Sequence, residues 1–351
     1  MGDEQVERVY AFIRDLLHQH EVLSNILEIW ESAFPLDEER HTPFLLLPVL
    51  CCQAAGGDEH QATAVAAAWF LLYLAAKVLD DVEDEDALQS PWYAVGVPQA
   101  INAATGLIFA SQLALAYLPR MGVGREFAFF LIEDFNRTIL RMCAGQHADL
   151  AEASISSLEC YLRIAGARSG QFFALACRAG ALLGTNEVAS YSEFGYNLGV
   201  LIQICDDFEG VWNPRGRSDL TAGKRTLPVI YALTVAPPVV RTRLERLLAK
   251  AISEREAEEE TRGLITELGA PLYLLIEAQI RRQRAEAALR STGRPSAACC
   301  QLMALLNGHF RVPDDATKIL LPPDSTQDKA LAVLGSFLPP LDLPGPFGSG
   351  F

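Results

Sequence analysis

Positive charge is scarce in this chain: 29 lysines and arginines stand against 44 aspartates and glutamates, a formal net charge of −15. That balance excludes a surface built to grip a nucleic-acid backbone and a basic patch for an anionic membrane. The eight cysteines (Cys51, Cys52, Cys143, Cys160, Cys177, Cys205, Cys299, Cys300) include no CxxC pair and no Cys/His spacing of a zinc site. They read as reduced core residues of a cytosolic protein. The N-terminus, MGDEQVERVYAF, lacks a basic segment followed by an apolar stretch, so no secretory leader is read there. Gly2 is followed by acids rather than by a myristoylation context. Strand-like alternation of apolar and polar residues is missing throughout, which leaves helices as the building blocks. The most hydrophobic run, Ala62 to Leu79, contains Lys77 and leads straight into acids, so a buried central helix is expected rather than a membrane span.

What is present is helical periodicity in a chain that is 50% hydrophobic, enough to bury a large core. Apolar positions at helical spacing mark residues 4–33, 44–55, 62–84, 98–118, 124–150, 156–183 and 188–209. The pattern resumes at 226–251, 256–267, 271–291 and 296–310, with Asp58 placed to cap the helix that ends in acids. Gly and Pro at 210–223, including Asn213-Pro214-Arg215-Gly216, mark a loop. The expected architecture is all-α, a bundle with buried central helices filling residues 1–311. Residues 312–351, punctuated by seven prolines from Pro313 to Pro346, read as a largely extended or disordered tail.

Six of the seven residues from Asp80 to Asp86 are acids. On one helix Asp80 and Asp84 share a face, with Asp81 about 100° further round. Like charges one turn apart repel, and the negative end of the helix dipole adds to the cost; a bound cation removes both. Taken alone, the stretch is equally a solvated helix end. A second set, Asp206, Asp207 and Glu209, closes another apolar helix. Two such ends facing across a cavity suit Mg²⁺, which takes carboxylate oxygens and substrate phosphates. Arg168, Arg215, Arg217, Lys224 and Arg225 are the cations available to complete a diphosphate clamp. Apolar helices below and a metal–diphosphate clamp above suit ionisation of an allylic diphosphate, with aromatic faces steadying the cation.

These residues resemble the trans-isoprenyl diphosphate synthase family of the class I isoprenoid synthase fold. Asp80-Asp81-Val82-Glu83-Asp84 is similar to its first DDxxD motif, and Gly145-Gln146-His147-Ala148-Asp149-Leu150 to its GQxxDL segment. The run Gly195 to Asp207 resembles the approach to the second motif, and Ser218 to Pro228 the DLxxGKxTLP segment. The resemblance spans about residues 35–311. It implies a homodimer and roughly three Mg²⁺ ions, held by Asp80, Asp81, Asp84, Asp206 and Asp207, with Glu209 as an added carboxylate. It further implies that Arg168, Lys224, Arg215 and Gln203 contact the diphosphate. Tyr73, Ala76, Phe109, Phe172 and Phe173 are the candidates to line the prenyl cavity, and the small Ala75 and Ala76 favour a long chain.

The chain departs from the family where a second diphosphate should bind. Glu39 and Thr42 stand where a lysine and an arginine are expected, Tyr73 replaces a histidine, and Gln89 and Ser90 replace two arginines. Within the second motif Gly210 takes the last aspartate position, and Pro214 replaces a lysine. The expectation drawn from these departures is a single-substrate enzyme, a cytoplasmic Mg²⁺-dependent terpene cyclase of the lyase class. Its substrate would be an allylic prenyl diphosphate, with no nucleic-acid partner and no transmembrane segment. Chain elongation by a geranylgeranyl or longer-chain synthase is the alternative, and a non-catalytic partner subunit of a prenyl synthase the third.

Overall fold

A computed structural model describes residues 2–18, 20, 23, 24, 27, 42–83, 96–150, 157–214 and 217–309. Within them every regular element is helical. The chain runs through α1 (Gly2–Leu17), the single turn α2 (Thr42–Leu45), α3 (Leu47–Ala55), α4 (Glu59–Glu83), α5 (Val97–Ala116) and α6 (Arg125–Leu150). After α7 (Leu158–Ala165) a π-helical turn, Gly166–Gly170, leads into α8 (Gln171–Ala181) and α9 (Ala189–Trp212). The last elements are α10 (Asp219–Ala222), α11 (Leu227–Val235), α12 (Pro238–Ala251), α13 (Arg255–Glu267), α14 (Ala270–Ser291) and α15 (Ala297–His309).

Helix α4 is the axis of the bundle. Gly56 ends α3 in the left-handed region (φ 85°), and Asp58 starts the next helix as expected, its carboxylate accepting the His60 N–H at 2.9 Å. Every residue from Ala62 to Leu72 is buried, so α4 is apolar all round because α1, α3, α5 and α8 enclose it. Its length and hydropathy alone would let it cross a membrane, yet 78% of its apolar window is covered by the protein. The indole N–H of Trp69 donates to the Phe172 carbonyl at 3.0 Å, tying α4 to α8 without leaving a buried donor orphaned. Arg178 of α8 grips Asp134 of α6 through two bonds of 2.7 and 2.9 Å.

A second, smaller core gathers Val211, Leu220, Val229, Leu244, Leu264 and Ile265, so the segments after α9 close against its C-terminal end. The expected helix over 156–183 is instead interrupted by the π turn at Gly166–Gly170. The cysteines are free thiols, but only Cys51, Cys52 and Cys177 are buried, while Cys143 and Cys300 are exposed. The helical expectation for residues 28–33, Asp84, Arg215, Gln89, Ser90 and the tail from 312 lie outside the described residues.

Candidate active site

The open end of α4 has a simple helical logic. Past the fully buried stretch, Tyr73, Ala76, Lys77 and Asp80 are only partly covered, and spacing of i, i+3, i+4 and i+7 puts them on one face. Ala75 is buried, so of the two alanines only Ala76 borders this face. On α9 the partly open or exposed positions Gln203, Asp206, Glu209 and Gly210 likewise form one face, while Asp207 points inward at 2% exposure.

The π turn joins the two faces. From it Arg168 donates to Asp80 Oδ1 at 2.9 Å and also pairs with Asp149 of α6, and the neighbouring Ser169 hydroxyl donates to Gln203 Oε1 at 2.8 Å. The backbones can approach this closely because α9 carries Gly199, where a Cβ would lie 2.2 Å from the Ser169 carbonyl oxygen. A π turn spliced between α-helices commonly marks a functional site. Gln146 Nε2 donates to Glu83 at 2.8 Å and to Asp80 at 3.3 Å, so α6 also braces the first acid set.

The two aspartates of the second set are in opposite situations. Asp207 accepts from the Tyr161 hydroxyl, from the Leu227 N–H at 2.8 Å and from Gln203 Nε2 at 3.0 Å. Burial raises its pKa, and these three donors work against the rise. Asp206 is open to the mouth yet hemmed in by protein, and low-dielectric surroundings together with Asp207 and Glu209 push its carboxyl up to about 7. Lys77 acts the other way on it, and Asp219 of α10 adds to the rise. Asp219 sits where the family pattern has an aspartate side chain, since a Cβ on Gly210 would lie 2.2 Å from its carboxylate oxygen.

Lys77 reaches Asp81 at 2.9 Å. Partial burial pulls its pKa down, but Asp81 and Asp80 outweigh that, so the net shift is upward and the ammonium stays charged. Carboxylate oxygens are what a hard divalent ion takes. Among the described residues no three acid, histidine or cysteine side chains already converge on one point; Arg168 and Lys77 neutralise Asp80 and Asp81 instead. Asp206, solvent-exposed on one side and crowded by Asp207 and Glu209, suits a cation, which would relieve the like-charge repulsion that helps raise its carboxyl.

Beneath the acids the wall is aromatic. Trp69 stacks on Phe172 with ring centroids 4.6 Å apart and on Tyr73 at 6.0 Å, and Tyr73 lies 6.1 Å from Phe172. Phe173 meets Trp69 edge-on at 5.5 Å. Burial and the nearby Asp206, Asp81 and Asp80 push the Tyr73 hydroxyl up to about 12, with Lys77 opposing, so it remains a neutral phenol. Phe109 is not part of this wall: it is 69% exposed on the outside of α5, a correction to its expected cavity role. Helical periodicity marked Phe109 as apolar without indicating which side of α5 faces inward. Lys224 is half-buried in the turn after α10, its N–H bonded to the Asp219 carbonyl at 2.9 Å.

Sequence reasoning assigned no role to Lys77, Asp149, Tyr161 or Asp219. Asp149 was visible inside the GQxxDL match, and Lys77 as a charge in an apolar run. Tyr161 gave no local signal, since its partner is 46 residues away.

An all-helical bundle with acid-tipped helices around an aromatic wall defines an isoprenoid-synthase type of protein. Residues 44–265 match the polyprenyl synthetase family, and the chain belongs to it. It is 30% identical over 230 residues to the short chain isoprenyl diphosphate synthase of Methanothermobacter thermautotrophicus, covering 59% of this chain and 69% of that one. It is 27% identical over 215 residues to the tryptophan prenyltransferase ComQ of Bacillus spizizenii, covering 60% of this chain and 74% of the relative. In fold it is similar to the geranylgeranyl pyrophosphate synthetase of Pyrococcus horikoshii, with a TM-score of 0.76 at 24% identity over 88% of this chain and 96% of that one.

Proposed function

We propose that this protein is a Mg²⁺-dependent prenyltransferase that ionises an allylic prenyl diphosphate and passes the prenyl cation to an acceptor, with chain elongation onto isopentenyl diphosphate as the first reading. The observation that carries it is the junction of Asp80 and the Gln203–Asp207 pair through one π turn, at the rim of an aromatic wall. Both relatives carry out, by name, isoprenyl diphosphate synthesis or prenyl transfer, which favours a transferase over the lyase expected from sequence.

In this reading Asp80, Asp81, Asp206 and Glu209 hold Mg²⁺, together with Asp84, and Mg²⁺ supplies electrostatic stabilisation of the departing diphosphate. Asp207, expected from sequence as a further metal ligand, is buried and accepts from three donors, so in this reading it orients Gln203 and anchors the end of α9. Arg168 meets the diphosphate from the π turn while Asp149 keeps its guanidinium fixed, and Lys224 and Arg215 complete the clamp. Tyr73, Phe172 and Trp69 exclude water and offer ring faces to the cation. Ala76 leaves room for the chain.

Single-substrate cyclisation remains a second reading, supported by Tyr73 and by the uncharged or acidic residues at Glu39, Thr42, Gln89 and Ser90 on the acceptor side. Incubating the protein and Mg²⁺ with geranyl, farnesyl and geranylgeranyl diphosphates, each with and without isopentenyl diphosphate, separates the two. Longer diphosphates formed only with isopentenyl diphosphate establish elongation. Hydrocarbon or alcohol from one substrate establishes cyclisation, and no product from any combination overturns both.

The proposal includes a second copy of the chain against α5 and α6. Helix α5 has no charged residue in 20 positions, and Phe109, Phe129 and Leu140 are each about 70% exposed on these two helices.

A further inference from the structure

Lys77 is the one charged residue in the run Ala62–Leu79, and it sits on the face of α4 that opens to the mouth. Placing a lysine there is costly unless a carboxylate meets it. Asp81 does so at 2.9 Å, and the ammonium also lies within the field of Asp80 and of Asp206 on the opposite helix. One side chain therefore stands between both acid sets. It is the more open partner of its pair, with 41% side-chain exposure against 12% for Asp81, so an ion entering from the mouth meets the lysine before the carboxylate.

Arg168 performs a similar neutralisation for Asp80, but it is pinned by Asp149 as well. A guanidinium held by two carboxylates is fixed, whereas an ammonium on a four-carbon stem with one short contact can swing away. The two cations are thus not equivalent: one is part of the frame and the other is displaceable.

We propose that Lys77 is a resident counter-ion of the first acid set, holding Asp81 against divalent metal until substrate diphosphate draws the ammonium away. The inference rests on the function proposed above, in which Asp80 and Asp81 take Mg²⁺. Its consequence is thermodynamic coupling. Metal alone must evict Lys77 from Asp81 and leave it unpartnered in a partly buried place, while metal arriving with a diphosphate gives the ammonium a new anion. Each ligand therefore tightens the other, by equal factors. Lys77 is then a positioning and gating residue that keeps the mouth from filling with metal before substrate arrives.

The test uses the full chain and Mn²⁺ as probe, with free Mn²⁺ followed by electron paramagnetic resonance, with and without inorganic diphosphate. Lys77→Met should bind Mn²⁺ alone on the order of tenfold more tightly than wild type, the scale of a close charge pair. Inorganic diphosphate should tighten Mn²⁺ binding less in the variant than in wild type. Lys77→Arg, which keeps the charge, should stay close to wild type. Arg243→Gln, which removes an exposed cation paired with Glu260 on α13, should change nothing and so controls for net charge. The gain should persist in an Asp206→Asn background, which locates it at the first acid set. Should Lys77→Met not fold, by circular dichroism, Lys77→Gln is read in its place. Equal or weaker Mn²⁺ binding by the charge-removing variant, with wild-type binding intact, overturns the inference alone. No Mn²⁺ binding by wild type under either condition overturns the metal-dependent function as well.

Discussion

Asp206 and Asp207 are adjacent in sequence, yet the helix turns one toward solvent and the other into three hydrogen bonds. The paired acids were legible from sequence because a second apolar helix ends in acids as α4 does, whereas either set alone reads equally as a solvated helix end. Their division of labour was not, since it depends on Tyr161 and Leu227, which arrive from other helices. Tyr161→Phe removes one donor from a buried carboxylate and should cost about 1–3 kcal/mol in urea unfolding, with a smaller loss of activity than Asp206→Asn. Asp206 makes a pH prediction. Its folded pKa, about 7, lies above the ordinary carboxyl value of 3.8. The stability it contributes is therefore fully present below about 4 and is lost as pH rises through about 7. Metal-free wild type should lose melting temperature across that window relative to Asp206→Asn. Stabilisation by added Mg²⁺ should grow over the same range, as the carboxyl gives up its proton. Parallel pH profiles for the two proteins would contradict this assignment.

At the scale of elements, the π turn Gly166–Gly170 separates what sequence showed from what it hid. Apolar spacing continues on both sides of it, so the stretch reads as one helix, and Arg168 is legible as a diphosphate-contacting cation but not as the link between the two acid sets. The interruption is produced by tertiary fit: Gly199 lets the Ser169 carbonyl approach α9, and that contact aims Arg168 at Asp80 while Ser169 reaches Gln203. Gly199→Ala puts a methyl 2.2 Å from a backbone oxygen that cannot rotate away, an overpacking expected to cost about 1–3 kcal/mol or more. It should also lower activity beyond what Ser169→Ala does, because the methyl displaces the whole turn whereas the serine change removes one bond to Gln203. If both variants keep equal activity and stability, the turn does not position Arg168. Helix α4 is the opposite case. Its apolar run, its start at Asp58 and its acid end were all visible, because a helix buried on every side needs no partner's geometry to announce itself.

At the scale of the whole molecule, the all-helical bundle followed from periodicity, and the family from four ordered motifs. What one chain's periodicity could not assign was which apolar faces turn inward. Phe109, expected to line the cavity, is on the outside of α5, in a stripe with Ile101, Thr105 and Leu113. On α6 Phe129, Asn136 and Leu140 share a face, and Asn136 Nδ2 donates to Gln112 of α5 at 3.2 Å, so the two stripes are contiguous. At about 200 Å² for a whole aromatic side chain, the five bare apolar residues expose roughly 500 Å². That is near the upper end of what monomers leave open, and a usable share of the ~800 Å² each partner gives to a standard interface. A second copy of the same surface is the partner that suits it, because α5 carries no charge and the exposed Glu133 and Arg137 of α6 pair with each other, whereas a chain of net charge −15 repels itself wherever unpaired acidic faces meet. Sedimentation velocity should find wild type dimeric at micromolar concentration, and Phe109→Lys with Leu140→Lys monomeric and still folded. These changes bury like charges against each other across a two-fold axis, where α5 offers no carboxylate and Glu133 of α6 is already paired with Arg137. A monomeric wild type, or a double variant as dimeric as wild type, would rule out this face.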